Sequence, residues 1–130
     1  MIVVDTSALM AIYLGEADAE AMFQAIVADD DPVIAAPSKF EFLMVASGRK
    51  ADGSNAAQLL DSLAIATHAW TDAHAEGALE VFLRYGKGRH KAALNFGDCM
   101  AYTLAKSLEA PLLYKGDDFS KTDIPSALRK

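Results

Sequence analysis

Short apolar runs alternate along this chain with longer segments of helical periodicity, and this alternation restricts the possible folds most strongly. The short runs predict strands at Ile2–Val4, 33–36, 65–70 and 112–114. Predicted helices begin at Thr6 or Ser7, Ala19, Lys39, Ser54, Thr71 or Asp72, and Phe96. Strands separated by such helices favour a parallel sheet covered on both faces. We therefore predict one α/β domain over residues 1–130, a three-layer α/β/α sandwich around a mainly parallel sheet of four to five strands.

Helical spacing also predicts which side chains face the core. In the helix that ends at Tyr85, one side carries Ala75, Ala78, Leu79, Phe82 and Tyr85. The segment 39–47 is so densely apolar that we expect a central helix, ended by Gly48 and the Asp52-Gly53 pair. We also predict that four phenylalanines belong to the core rather than to base-stacking surfaces: Phe40, Phe42, Phe82 and Phe96.

Cysteine and histidine usage argues against disulfide and zinc chemistry. Cys99 is the single cysteine, so it has no internal disulfide partner and suits a reducing compartment. The three histidines show no spacing typical of zinc ligands. The apolar opening residues lack a basic segment and include Asp5, and no run approaches the roughly 20 apolar residues of a membrane helix. We expect a cytoplasmic protein with no membrane partner.

Four carboxylates stand at comparable places in the predicted elements. Asp5 ends the first strand, and Asp117 follows the last one. Glu41 and Asp98 fall in the first turns of two helices. Because open α/β sheets bind ligands at the carboxyl ends of their strands, these side chains can converge at one edge. Their repulsion is relieved by a divalent cation, and hard oxygen donors suit Mg²⁺ or Mn²⁺, which would activate a water for phosphodiester hydrolysis.

These acids also have structural interpretations that the sequence leaves open. Glu41 stands three residues after Ser38, in the spacing of a capping box. Asp98 stands three residues after Asn95, a possible N-cap, where a carboxylate favours the helix dipole. Asp5 is the hardest to explain in this way, because an ionised side chain that ends a buried strand is costly without a partner.

The charge distribution gives a mixed indication of nucleic-acid binding. The net charge is −6, whereas phosphate contacts normally leave a basic surface. A carboxylate cluster that a dication neutralises accounts for part of this excess. Basic residues are concentrated shortly before Asp98, and we predict that four of them contact RNA: Arg84, Lys87, Arg89 and Lys91. Solvated charges on a loop are the alternative.

Four segments resemble those of PIN-domain ribonucleases, and specifically of the VapC toxins of bacterial toxin–antitoxin pairs. They are residues 2–9 (IVVDTSAL), 37–41 (PSKFE), 94–102 (LNFGDCMAY) and 112–119 (LLYKGDDF). Each segment is short, but the four occur in the family's order and span nearly the whole chain. This combination makes the resemblance specific.

The resemblance implies a PIN-like α/β/α fold and an Mg²⁺- or Mn²⁺-dependent endoribonuclease that cuts structured RNA at single-stranded sites. It also implies a homodimer, inhibited by a cognate VapB-type antitoxin whose tail lies across the active site. By motif match, Asp5, Glu41 and Asp98 correspond to the family's three main metal-binding acids, and Asp117 corresponds to a more variable fourth acid.

Two further assignments follow from the matched segments. Thr6 or Ser7 matches a hydroxyl position that often supports the metal site, although either residue also suits a helix cap. Asp117 and Asp118 are adjacent and point in different directions after a strand, so only one is expected to face the metal. We favour Asp117.

Two other functional classes fit the same acids. A phosphatase or phosphoacceptor domain would form an aspartyl-phosphate on Asp5, but such phosphatases usually need a second aspartate two positions later, where this chain has Ser7. A non-catalytic protein-binding module would use the acids as helix caps and its apolar helices as a docking surface.

Overall fold

The structure is a computed structural model that describes residues 1–48 and 54–128. Its strands are β1 (Ile2–Val4), β2 (Pro32–Ala35), β3 (Ala66–His68) and β4 (Leu112–Leu113). Its helices are α1 (Thr6–Leu14), α2 (Ala19–Val27), α3 (Ala36–Ser47), α4 (Ser54–Ser62), α5 (Asp72–Tyr85) and α6 (Phe96–Ser107), followed by a 3₁₀ turn at Phe119–Lys121. The Asp52-Gly53 pair lies outside the described residues. In these two ranges, no helix is long and apolar enough to cross a bilayer.

The strands form one fully parallel sheet in the order β3-β2-β1-β4. Val3 in the central strand β1 pairs with Val33 on one side and with Leu112 on the other. The predicted parallel α/β/α architecture is therefore confirmed, with a four-stranded sheet in the described part of the chain. Since all strands run the same way, the residues after β1, β2 and β4 meet at one edge of the sheet.

Side chains that alternate along the strands divide the core into two layers. One layer packs against α5 and α6 and contains Val3, Val33 and Leu112. The other packs against α1 to α4 and contains Ile2, Val4, Ile34 and Leu113. Both faces of the sheet are covered, which explains why its central strands are wholly apolar.

Helix α5 confirms only Tyr85 of the predicted core-facing residues. Its buried residues are Val81 and Tyr85, whereas Leu79 is 58% exposed and Phe82 also faces outward. The reason is close packing against α6, since a Cβ at Gly77 would lie 3.3 Å from Cγ2 of Thr103. This contact turns the Gly77–Val81 side inward and leaves the neighbouring apolar stripe in solvent.

The prediction of four core phenylalanines is correct for Phe42 alone. Phe42 is fully buried and packs edge-on against Tyr13, while Phe40, Phe82 and Phe96 are exposed. Helix α3 is covered on the Phe42 side only, so its high apolar content does not make it a fully buried central helix. Apolar composition predicted burial here without indicating which side of the helix has a neighbour.

Candidate active site

Asp5 lies at the centre of the carboxyl edge, between β1 and α1. Its side chain is only 4% exposed and caps α1, because Oδ2 accepts hydrogen bonds from the Ser7 amide at 3.0 Å and from the Ser7 hydroxyl at 2.6 Å. The pKa of Asp5 is raised to about 7, mainly by burial and also by the charges of Asp98 and Glu41, against the lowering effect of the Ser7 hydrogen bonds. Asp5 is therefore a buried acid whose ionisation is disfavoured by two neighbouring carboxylates.

Glu41 is held by α1 rather than by a cap of its own helix. Helix α3 begins at Ala36, three residues earlier than predicted, because Pro37 is compatible with the first helical turn. Glu41 consequently lies in the second turn, and the predicted capping box with Ser38 does not form. Instead, the Thr6 hydroxyl donates to Oε1 of Glu41 at 2.6 Å and lies 3.1 Å from the carbonyl oxygen of Ser38.

Gly97 brings the first turn of α6 against the Glu41 carboxylate. A Cβ built on Gly97 would lie 2.4 Å from Oε2 of Glu41 and 2.8 Å from Oε1. A side chain at this position would therefore displace the carboxylate. The absence of a Cβ at Gly97 allows α3 and α6 to place Glu41 beside the residue that follows, Asp98.

Asp98 caps its own helix and is also close enough to other acids to be affected by their charges. It forms a complete capping box with Asn95, in which the Asn95 amide donates to Oδ2 at 3.0 Å and the Asp98 amide donates back to Asn95 at 2.8 Å. Burial raises the pKa of Asp98, and the charges of Asp118 and Glu41 add to this effect. The cap that the sequence left open as an alternative is therefore real and coexists with carboxylate clustering.

The loop after β4 brings a further acid to this edge. The Lys115 amide donates to the Ser7 hydroxyl at 3.0 Å, so the hydroxyl that bonds Asp5 also anchors this loop. Asp117 and Asp118 are both exposed, and in the described residues the charge of Asp118, but not that of Asp117, contributes to the raised pKa of Asp98. The assignment of Asp117 stays a prediction, and this observation favours its neighbour.

The donor chemistry of Asp5, Glu41 and Asp98 fits a hard divalent cation. In the described residues, no lysine or arginine forms an ion pair with any of the three, although their charges repel one another. In the same part of the chain, no three acidic, histidine or cysteine side chains are close enough to hold a metal ion as they stand. The described hydrogen bonds draw one oxygen of each acid toward a neighbour: Ser7, Thr6 and Asn95. Binding of one ion by all three acids would therefore require rotation of their side chains toward a common centre.

The basic segment forms the loop that leads from α5 into α6. Backbone hydrogen bonds from Lys87 to Leu94 and from Leu94 to Tyr85 close this loop. The side chains of Lys87 and Lys91 are exposed, and the Arg89 guanidinium lies 5.4 Å from the centre of the Phe82 ring. Arg84 instead lies 3.7 Å from Asp123, which compensates part of its charge.

Comparison with known proteins defines the class to which this fold and site belong. Residues 2–125 match the PIN domain. This match covers nearly the whole chain, which therefore belongs to the PIN-domain family.

Its relatives within that family are VapC ribonucleases. The chain is 40% identical to VapC36 of Mycobacterium tuberculosis, over 94% of this chain and 90% of that protein. It is 41% identical to VapC of Mycolicibacterium smegmatis, over 94% and 96% of the two chains. The chain is thus a ribonuclease of the VapC group, as the sequence motifs indicated, and not a phosphatase.

Two solved structures share the fold at low sequence identity. VapC20 of Mycobacterium tuberculosis, described as a toxin that cleaves the sarcin-ricin loop, superposes with a TM-score of 0.78 at 19% identity, over 95% of this chain and 96% of the other. A toxin–antitoxin complex from Klebsiella pneumoniae gives 0.71 at 16% identity, over 95% and 93%. Both confirm the α/β/α architecture.

Three contributors to the site were not predicted from the sequence. Gly97 shapes the space for Glu41, the Lys115 amide fixes the last loop, and the buried Ser38 lies beneath the Thr6 hydroxyl. All three lie in the segments that resemble the family, but Ser38 and Lys115 act through backbone groups that any residue carries, so their chemistry gave no signal.

Proposed function

We propose that this chain is the toxin of a toxin–antitoxin pair and an Mg²⁺- or Mn²⁺-dependent endoribonuclease that holds its ion with Asp5, Glu41 and Asp98. The observation that carries the proposal is the buried Asp5 carboxyl group, whose pKa is raised by burial and by two neighbouring carboxylates. A buried acid without a compensating charge is unfavourable, and a dication supplies that charge.

Each supporting residue has a distinct task in this proposal. Ser7 orients Asp5 through two hydrogen bonds, and Thr6 orients Glu41 through one. Asn95 fixes the backbone from which Asp98 projects. The fourth acid is Asp117 or Asp118, and the electrostatic effect on Asp98 favours Asp118.

The chemistry divides between the ion and the protein. When bound, Mg²⁺ or Mn²⁺ would activate a water for attack on the phosphodiester and stabilise the charge that develops on the phosphate. The protein positions the carboxylates, and Asp5 must lose its proton before it can serve as a ligand. Since the pKa of Asp5 is about 7, metal affinity should rise with pH up to that value.

The direct test is RNA cleavage by carboxamide variants with purified protein. Asp5→Asn and Asp98→Asn should each abolish Mg²⁺-dependent cleavage while the protein stays folded. Glu76→Gln, which neutralises an exposed acid on α5, is the matched control and should cleave like the wild type. Full activity in both site variants would refute the proposed metal site.

We further propose that Lys87, Arg89 and Lys91 contact RNA phosphates, with a smaller contribution from Arg84. Replacing the first three with glutamine should weaken RNA binding and lower the slope of log affinity against log salt by about 2. An unchanged slope would remove this loop from the interface. We also propose a structured RNA with an exposed single-stranded site as the substrate; VapC20, which shares the fold, is described as cleaving the sarcin-ricin loop.

We propose two protein partners, a cognate VapB-type antitoxin and a second copy of the chain. The proposed place of action is the cytoplasm. The Klebsiella toxin–antitoxin complex supports the antitoxin partner, because its toxin fold is similar. Expression of the chain alone should stop bacterial growth, and co-expression of the antitoxin should restore it. Light scattering of the purified chain tests the homodimer.

A further inference from the structure

Two phenylalanines that neighbour the acids in sequence are exposed, where the sequence predicted core residues. The side chain of Phe96 is 83% exposed and that of Phe40 is 65% exposed. Phe40 directly precedes Glu41, and Phe96 lies two positions before Asp98. We call these two rings the aromatic rim.

The contact at Gly97 brings together the two backbone segments that carry the rings. Because a Cβ at Gly97 would collide with the Glu41 carboxylate, the first turn of α6 touches α3 at Glu41. Each ring belongs to a residue adjacent in sequence to one side of this contact. Met44, one turn after Phe40 on the same face of α3, is 53% exposed and extends the apolar surface.

Because the protein is negatively charged, RNA binding near the acids needs contacts that do not depend on charge. The net charge is −6, and the acids at the edge of the sheet repel phosphate before a cation binds. Two cations, Arg84 and Lys106, are paired with Asp123, and Lys115 is paired with Glu16. Stacking of bases on aromatic rings provides affinity that does not depend on charge.

We propose that Phe40 and Phe96 form a stacking surface for unpaired bases of the RNA next to the phosphodiester that is cut. This inference rests on the proposed nuclease function, because it places the phosphodiester at the acids. Bases that flank this phosphodiester in a single strand would then lie against the rim. Aromatic rings are the usual platforms for such splayed bases.

The test measures stacking separately from cleavage. The probe is a short single-stranded oligoribonucleotide that contains 2-aminopurine, mixed with the full chain in Ca²⁺, and a gel verifies that the RNA stays intact. Wild-type protein should quench the fluorescence. Phe96→Ala and Phe40→Ala should each lower affinity about tenfold and reduce the quenching. The salt dependence of binding should not change, because no phosphate contact is lost.

Three comparison variants define the chemistry of the contact. Phe96→Tyr retains the ring and should bind like the wild type, whereas Phe96→Leu retains an apolar side chain without a ring and should bind like Phe96→Ala. Val27→Ala changes an exposed apolar residue at the end of α2 and should have no effect. Thermal unfolding of each variant checks that the fold is kept, as expected for exposed side chains.

The possible outcomes distinguish failure of the stacking surface from failure of the proposed ribonuclease function. If the wild type cleaves RNA but the alanine variants bind and quench as it does, the stacking surface is refuted and the ribonuclease function stands. If Phe96→Leu equals the wild type, the rim is an apolar docking surface, suited to a protein partner, and the inference is again refuted. If the wild type neither binds nor cleaves RNA, both proposals fail.

Discussion

Replacing Asp5 with asparagine should stabilise the metal-free protein at alkaline pH while removing its metal site. A pKa of about 7 instead of 3.8 means that ionising Asp5 costs about 4 kcal/mol more in the folded protein than in the unfolded chain. Asparagine has nearly the same shape, keeps an oxygen for the Ser7 donors and never ionises. The pKa of about 7 already includes the hydrogen bonds from Ser7 to the carboxylate, so the full difference is expected.

The sign of the pH dependence follows from the raised pKa. Between about pH 4 and pH 7, the folded state holds a proton on Asp5 that the unfolded chain has released. The contribution of this group to the free energy of unfolding is therefore largest near pH 4, falls as the pH rises, and levels off above 7. The Asp5→Asn variant lacks this loss, so its advantage over the wild type should grow from about pH 4 to about pH 7.

Denaturant unfolding in EDTA at pH 4 and pH 8 measures this difference. We expect Asp5→Asn to be about 4 kcal/mol more stable than the wild type at pH 8, and about equal to it at pH 4. Glu76→Gln should track the wild type at both values. With Mn²⁺ at pH 8, only the wild type and the control should gain stability. A variant that is less stable than the wild type at pH 8 would refute the reasoning about Asp5.

Three further substitutions test how the carboxylates are positioned. Thr6→Val removes the hydroxyl that donates to Glu41; it should lower the cleavage rate about tenfold in a steady-state assay, and Thr6→Ser should restore it. Gly97→Ala places a methyl group where the Glu41 carboxylate lies; it should destabilise the fold by about 1 to 3 kcal/mol in denaturant unfolding and weaken Mn²⁺ binding, whereas an unchanged variant would contradict the described packing. Asp118→Asn should weaken Mn²⁺ binding in calorimetry more than Asp117→Asn does, and the opposite order would restore Asp117 as the fourth acid.

The elements that sequence predicted best are those with a strong local signal. The β-branched run that ends at Asp5 and the Asn95 cap before α6 both form as predicted. In these places, the side-chain chemistry needed for the element lies within three or four residues. Asp5 and Asp98 could be proposed from the sequence because each follows such a signal, whereas Glu41 lies in the second turn of a helix that begins earlier than predicted.

The predictions that failed depend on contacts between distant elements. The exposure of Phe40 and Phe96 depends on which side of α3 and α6 has a neighbour, and local spacing does not contain this information. The bond from Thr6 to Glu41 spans 35 positions and replaced a plausible local bond to Ser38. Helix α5 shows the same limit, since one close approach at Gly77 selects its buried side.

Anomalous diffraction from crystals soaked in Mn²⁺ is the most direct test of the proposed metal centre. We predict a strong Mn²⁺ peak at the carboxyl edge of the sheet, with oxygens of Asp5, Glu41 and Asp98 turned from Ser7, Thr6 and Asn95 toward one centre, directly or through one water. A peak elsewhere on the protein, or no peak at saturating Mn²⁺ above pH 7, would contradict the account.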